Sequence, residues 1–178
     1  NAANTSSGST PLNPSTNNAN LIVKLGVANA LPATTVLSLT GVAGGGTGRT
    51  TDFDLNGFNQ TIAGLQNTPV SLRNQRVLNS PGTAATLTIQ NPGTRSFSGT
   101  ISGNNLSLVK SGSGTQSLSG SNSYTGTTLI QQGRLQGVVG GNCANSAVTL
   151  STVSATFCAS ITDNTKTWTC KSLATTAP

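Results

Sequence analysis

Glutamate, histidine and methionine are absent from this chain of 178 residues, aspartate occurs three times, and charged residues make up only 7%. So few acids argue against long amphipathic helices laced by i,i+4 ion pairs. The lack of His and of any Cys-x-x-Cys argues against a zinc-type site. General acid–base chemistry near neutral pH would need a strongly shifted Asp or Lys. Aromatic residues amount to 3%, too few for a base-stacking platform, so no specific nucleic-acid partner is expected. No apolar run of about 18 residues occurs, which excludes a membrane-spanning helix. The chain does not start with Met and shows no charged n-region followed by an apolar h-region, so it reads as a mature or excised piece.

What is present in quantity is Ser, Thr, Asn and Gly, interleaved with Val, Ile and Leu. One short phrase keeps returning: alternating residues lead into a Gly preceded in five of seven copies by Ser, Thr or Asn. It occurs at Phe97-Ser98-Gly99, Ile101-Ser102-Gly103, Leu118-Ser119-Gly120 and Leu135-Gln136-Gly137, and upstream at Leu39-Thr40-Gly41, Leu55-Asn56-Gly57 and Ile62-Ala63-Gly64. Gly103, Gly120 and Gly137 are 17 residues apart, a spacing close to one coil of a parallel β-solenoid. Gly and Asn suit corners that need positive φ, and alternating apolar residues suit strands with one face inward. The expected fold is all-β, a parallel β-helix whose coils stack at roughly 4.8 Å.

The run LVKSGSGT beginning at Leu108, followed by LSGSNSYTGTT beginning at Leu118 and a strand to Leu135, resembles the autotransporter-associated β-strand repeat of bacterial surface and passenger proteins. FDLNGFNQTIAGL, from Phe53 to Leu65, resembles the unit that often precedes it. Together they cover roughly residues 50 to 137. The resemblance implies a right-handed parallel β-helix, export from a Gram-negative-type cell and a place at the cell surface or beyond it, with no single activity. Two features depart from such passengers: no series of alternating strands with aromatic girdles follows as a translocator barrel, and cysteines are present.

Residues 1–20 form a Pro/Ser/Thr/Asn arm, and residues 21–178 read as a single solenoid domain. The arm is expected to rest against the body or a neighbouring molecule. Three cysteines, Cys143, Cys158 and Cys170, imply one pair and one thiol that is free or bonded to another molecule. If Asp163-Asn164-Thr165 is a turn, Cys158 falls opposite Cys170 in a C-terminal β-hairpin, at cross-strand distance for a disulfide, and Cys143 is left over. Pairing Cys143 with Cys158 would require them stacked on successive coils, which their separation of 15 residues suits less well.

Asp52 and Asp54 stand two apart on an expected strand, so both carboxylates point from one face, as paired acids do in some solenoid enzymes acting on polysaccharides. A solvated strand face beside Arg49 explains them equally, and no catalytic residue is assigned. The cluster at 44–50 lacks the first Gly and the Lys of a phosphate loop and reads as a loop; its single copy also argues against a calcium-binding nonapeptide. No cofactor and no metal are expected. Net charge is +6, but the basic residues are scattered, so a weak preference for anionic surface glycans is the most they imply. Tyr124 and Trp168 are expected in a core or a subunit contact.

A solenoid fragment exposes backbone donors and acceptors at both ends, which take a cap or pair with another chain. No capping helix is legible. The expected function is therefore a structural subunit of an extracellular bacterial filament or surface fibre, self-associating head-to-tail through its open ends and the arm. The alternative is a cell-surface adhesin or glycan-binding module, which would gather aromatics and acids on one exposed face. An enzyme is not expected.

Overall fold

In Leu106–Lys110 the side chains are alternately buried and half-buried, as an extended chain with one face against a core requires. The same pattern recurs along the molecule and builds the fold. The computed structural model describes residues 8–14, 19–41, 48–68, 73–138, 141–160 and 169–176, and among these every regular element is a strand. The first coil holds β1 (Gly8–Leu12) and β2 (Leu21–Lys24). The next two hold β3 (Thr35–Leu39), β4 (Arg49–Asp54) and β5 (Gln60–Ile62), then β6 (Gly64–Asn67), β7 (Arg73–Asn79) and β8 (Ala85–Ile89). A fourth holds β9 (Arg95–Phe97), β10 (Thr100–Gly103) and β11 (Leu106–Lys110). Then come β12 (Thr115–Leu118) with β13 (Thr128–Ile130), β14 (Gly133–Val138) with β15 (Cys143–Leu150), and β16 (Ala155–Ser160) with β17 (Cys170–Thr175).

Strands pair with the coil above and below, in parallel, in the orders β1-β3-β6, β2-β4-β7-β10, β5-β8-β11-β13-β15-β17 and β9-β12-β14-β16. The fold is a parallel β-solenoid of about six turns. The first and last of these sheets form one continuous face, because Ser98 N–H donates to Asn67 Oδ1 (2.9 Å) across the step from β6 to β9. Coils shorten along the chain: Leu21 pairs with Thr51, 30 residues on, Arg76 with Thr100, 24 on, and Leu108 with Thr128, 20 on.

The core consists of ladders of like residues. Leu87, Leu108, Thr128 and Val148 stack in register on one face, and Phe53, Val77 and Ile101 on another, all buried. Burying each such apolar side chain contributes about 1.5–3 kcal/mol.

The glycine spacing expected to mark one coil does not do so. Gly103 ends β10 with φ of 130°, Gly120 follows β12, and Gly137 lies within β14 opposite Leu118. The column that stacks is Gly99, Gly120 and Gly141, 21 residues apart, and its first two members are there for proximity rather than positive φ. A Cβ on Gly120 would lie 1.8 Å from the Gly99 carbonyl oxygen, and one on Gly99 would lie 2.1 Å from that of Gln75.

One further expectation is corrected. The C-terminal β-hairpin is absent from the described strands: β16 pairs with β14 and β17 with β15, each in parallel, so the chain winds on instead of turning back. The turn at 163–165 lies outside the described residues. Of the arm, expected to rest against the body or a neighbouring molecule, Gly8–Leu12 lie in the molecule's own sheet, paired with Thr35–Leu39.

At several places a carboxamide takes over from a strand. Leu65 N–H donates to Gln116 Oε1 (3.3 Å) and Gln116 Nε2 donates to the Leu65 carbonyl (2.9 Å), so one fully buried side chain satisfies both backbone groups of a residue on a distant rung. Gln60 does the same for Leu31, at 3.0 and 2.8 Å. Asn79 accepts from Gly57 N–H (2.8 Å) and donates to the Asn104 carbonyl (3.1 Å), tying together three coils. Replacing Gln116 by Leu keeps the volume but orphans two buried backbone groups, and Q116L is expected to lose about 2–5 kcal/mol in chemical denaturation. A loss below about 0.5 kcal/mol would show that those two bonds contribute nothing. Gly120→Ala, which forces its corner away from Gly99, is expected to lower the thermal midpoint as well.

Candidate functional site

β4 carries the only two acids among the described residues, Asp52 and Asp54, on either side of the inward Phe53. Their spacing does put both carboxylates on one face, yet each is 1% exposed and each is engaged by a different neighbour. Asp52 lies in register with Arg76 of the next coil. The guanidinium grips it in a fork, Nε at 2.8 Å from Oδ1 and Nη2 at 2.6 Å from Oδ2, and Thr50 Oγ1 donates to Oδ2 (3.1 Å). Asp54 lies in register with Lys24 of the preceding coil, whose Nζ is 3.4 Å from Oδ2. Its Oδ1 accepts from the N–H groups of Asn56 (2.9 Å) and Ser80 (3.0 Å).

Burial opposes ionisation of Asp54, but the hydrogen bonds from Ser80 and Asn56 and the Lys24 ammonium outweigh it and hold the carboxyl below its usual range. A glycosidase acid needs the opposite shift, so that it stays protonated near neutral pH. The two acids bind three successive coils through one ion pair to each side. The arrangement is one of structural cross-links between rungs.

The remaining candidates are dispersed. Tyr124 is buried, its hydroxyl 2.7 Å from Thr128 Oγ1, which is 2.8 Å from Ser146 Oγ. Trp168, Asp163 and the glycines at 44–46 lie outside the described residues. Arg134 and Lys171 are exposed on different strands, Lys24 and Arg76 are committed to acids, and Lys110 is fully buried. Among the described residues, no three Cys or Asp side chains gather where a metal ion would sit, and no helix is long and apolar enough to cross a membrane.

All three cysteines are free thiols. Cys158 stands on β16 opposite Gln136, and Cys170 on β17 opposite Cys143. The structure therefore separates Cys158 and Cys170 onto two faces and brings together the pair that was not anticipated, because the chain winds on where a hairpin was expected.

Lys110 was also not anticipated. It occupies the rung between Ile89 and Ile130 in an aliphatic ladder, and its Nζ donates to the carbonyls of Gly112 and, at 3.4 Å, Gln132. The signal was in the alternation itself: Leu106, Leu108 and Lys110 share one parity, so the lysine had to face inward with the leucines.

A parallel β-solenoid cross-linked by buried amides and ion pairs is a scaffold class. Residues 108–136, from β11 through β13 into β14, match the family model described as passenger-associated-transport-repeat, in agreement with the resemblance carried by LVKSGSGT and LSGSNSYTGTT. The repeat and the solenoid together fit a passenger-type surface protein. No curated protein and no solved structure matches the chain.

Burial pushes Lys110 down to about 8. An unfolded lysine titrates near about 10.4, so between those values the unfolded chain holds more protons than the folded one. Lys110 therefore destabilises the fold fully below about pH 8, and the penalty fades as pH rises to about 10.4. The expected outcome for K110M is a protein at least as stable as wild type at pH 7, with the gap between the two narrowing over that window. A gap that stays constant from pH 7 to 10 would show that the ammonium carries no such penalty.

Proposed function

We propose that this chain is a structural rod of a secreted or surface-displayed passenger-type protein, and that it acts as a subunit of a bacterial surface fibre in which one solenoid docks end-on against another. The observation that carries this reading is the last described rung. β17 is the last strand of its sheet among the described residues, and Leu173 on it, which continues the ladder of Leu108 and Val148, is 57% exposed. An unpaired edge lying over an apolar ladder is a template for one more rung.

At the opposite end, the sheet that β17 closes begins at β5, and β1 begins the face that ends in β16. Pro11 removes one donor from β1. Gly8–Leu12 already pair within their own chain, so the contact proceeds by stacking of rungs, without donation of that segment. The heterologous geometry does not close on itself and so propagates. The adhesin alternative draws less support, since Phe53, Phe97 and Tyr124 are buried in the core.

Sedimentation velocity and electron microscopy over rising concentration test the proposal. Wild-type protein is expected to form rods that lengthen along the solenoid axis, and Leu173→Asp is expected to stay monomeric while folding normally by circular dichroism. Dispersed wild-type monomers at high concentration would remove the fibre reading.

A further inference from the structure

We propose that Cys143 and Cys170, in-register neighbours on β15 and β17, close into a disulfide that clamps the last described coil to the one before it, leaving Cys158 as the single thiol. Register is the first ground. The two residues face each other across adjacent parallel strands, and Cys143 N–H donates to the Thr169 carbonyl at 2.8 Å. Strands so paired lie roughly 4.8 Å apart, inside the range of about 4.4–6.8 Å that disulfide-linked Cα atoms occupy.

Direction is the second ground. Cys143 is a fully buried member of the core, and Cys170, half-buried, packs against that core, so both side chains point to the same interior. Burial, with Cys170 beside it, pushes the Cys143 thiol up to about 12. Cys158 has no such neighbour: its rung partner is Gln136.

The third ground is the ladder between these strands. It is irregular between Cys143 and Ala147, where the register shifts before pairing resumes at Ser172. Of the six residues of β17, five are exposed, so this rung has little burial to hold it. A covalent link at the start of the strand compensates where packing is weakest.

Closure is a thiol–disulfide exchange with a protein or small-molecule disulfide as oxidant. The more accessible Cys170 attacks as thiolate and forms a mixed disulfide, releasing one thiol of the oxidant. Cys143 then attacks Cys170 Sγ and releases the second. One S–S bond breaks and one forms; the oxidant gains two electrons, and the two thiol protons end on its sulfurs. The supply of such an oxidant in the organism rests on the surface reading above, since disulfides persist in oxidising compartments.

The test uses the full chain carrying Cys158→Ser, incubated with oxidised glutathione and counted for thiols after denaturation. The expected count falls from two to none, with Cys143 and Cys170 recovered in one linked peptide and the thermal midpoint raised by about 5–10 °C over the reduced form. The further substitution Cys170→Ser, at the half-buried position, abolishes that rise. Two thiols persisting after oxidation, or a linked peptide joining Cys158 to Cys170 in the wild-type chain, overturns the proposal. Trapping thiols at lysis of producing cells separates the two readings: a bond that forms readily in vitro but is reduced in the native protein counts against the surface location and leaves the clamp standing.

Discussion

Backbone groups that leave one strand and turn toward the next have no ladder to join, and a solenoid turns such corners on every coil. A buried N–H or carbonyl without a partner is destabilising by about 1–3 kcal/mol, so a stack of six turns is viable only if its corners are satisfied. Here the partners are Asn and Gln side chains whose carboxamides imitate a peptide. Gln116 and Gln60 each serve both backbone groups of one leucine, while Asn79 and Asn122 reach from a buried corner into adjacent coils. The chain's wealth of amides follows from this requirement, as does its poverty in charge, because a neutral amide can be buried once bonded and a lone ion cannot.

The few ions present obey the same constraint. Asp52 and Asp54 are buried, and each finds its cation on a neighbouring rung at an in-register position, Arg76 on one side and Lys24 on the other. Parallel in-register stacking makes this economical: any residue sees its counterpart about 4.8 Å above and below, so charges two apart on one strand can be neutralised by opposite neighbours. A pair that reads in sequence as potential acid chemistry is thereby recruited to hold β2, β4 and β7 together. Lys110 is the exception, an ammonium inside an aliphatic ladder, bonded only to corner carbonyls.

Much of the architecture was legible. Alternating apolar residues leading into recurrent Gly steps made the parallel solenoid legible, and the runs from Leu108 and Leu118 the repeat. Coil length was not legible, because glycines serve three different ends: positive φ at Gly103, close approach at Gly99 and Gly120, and a strand interior at Gly137. Equal spacing among them therefore carried no period. The cysteines were misplaced for a related reason. Asp163-Asn164-Thr165 has the composition of a hairpin turn, but composition does not say whether the chain returns beside itself or travels to another face, and only the stacking of β17 on β15 brings Cys170 to Cys143. The partners of Asp52 and Asp54 likewise depend on inter-coil register, which a local reading cannot supply.

Strands that run around the molecule leave their hydrogen bonds parallel to its long axis. Tension applied at the termini therefore meets those bonds one rung at a time, and the rod should pay out like thread from a spool instead of shearing as a unit. Releasing a coil of 20 residues, as between Leu108 and Thr128, frees at most about 70 Å of extended chain. The earlier coils, up to 30 residues long, release proportionally more. A surface protein built in this way absorbs a pull in discrete steps, beginning at its loosest end.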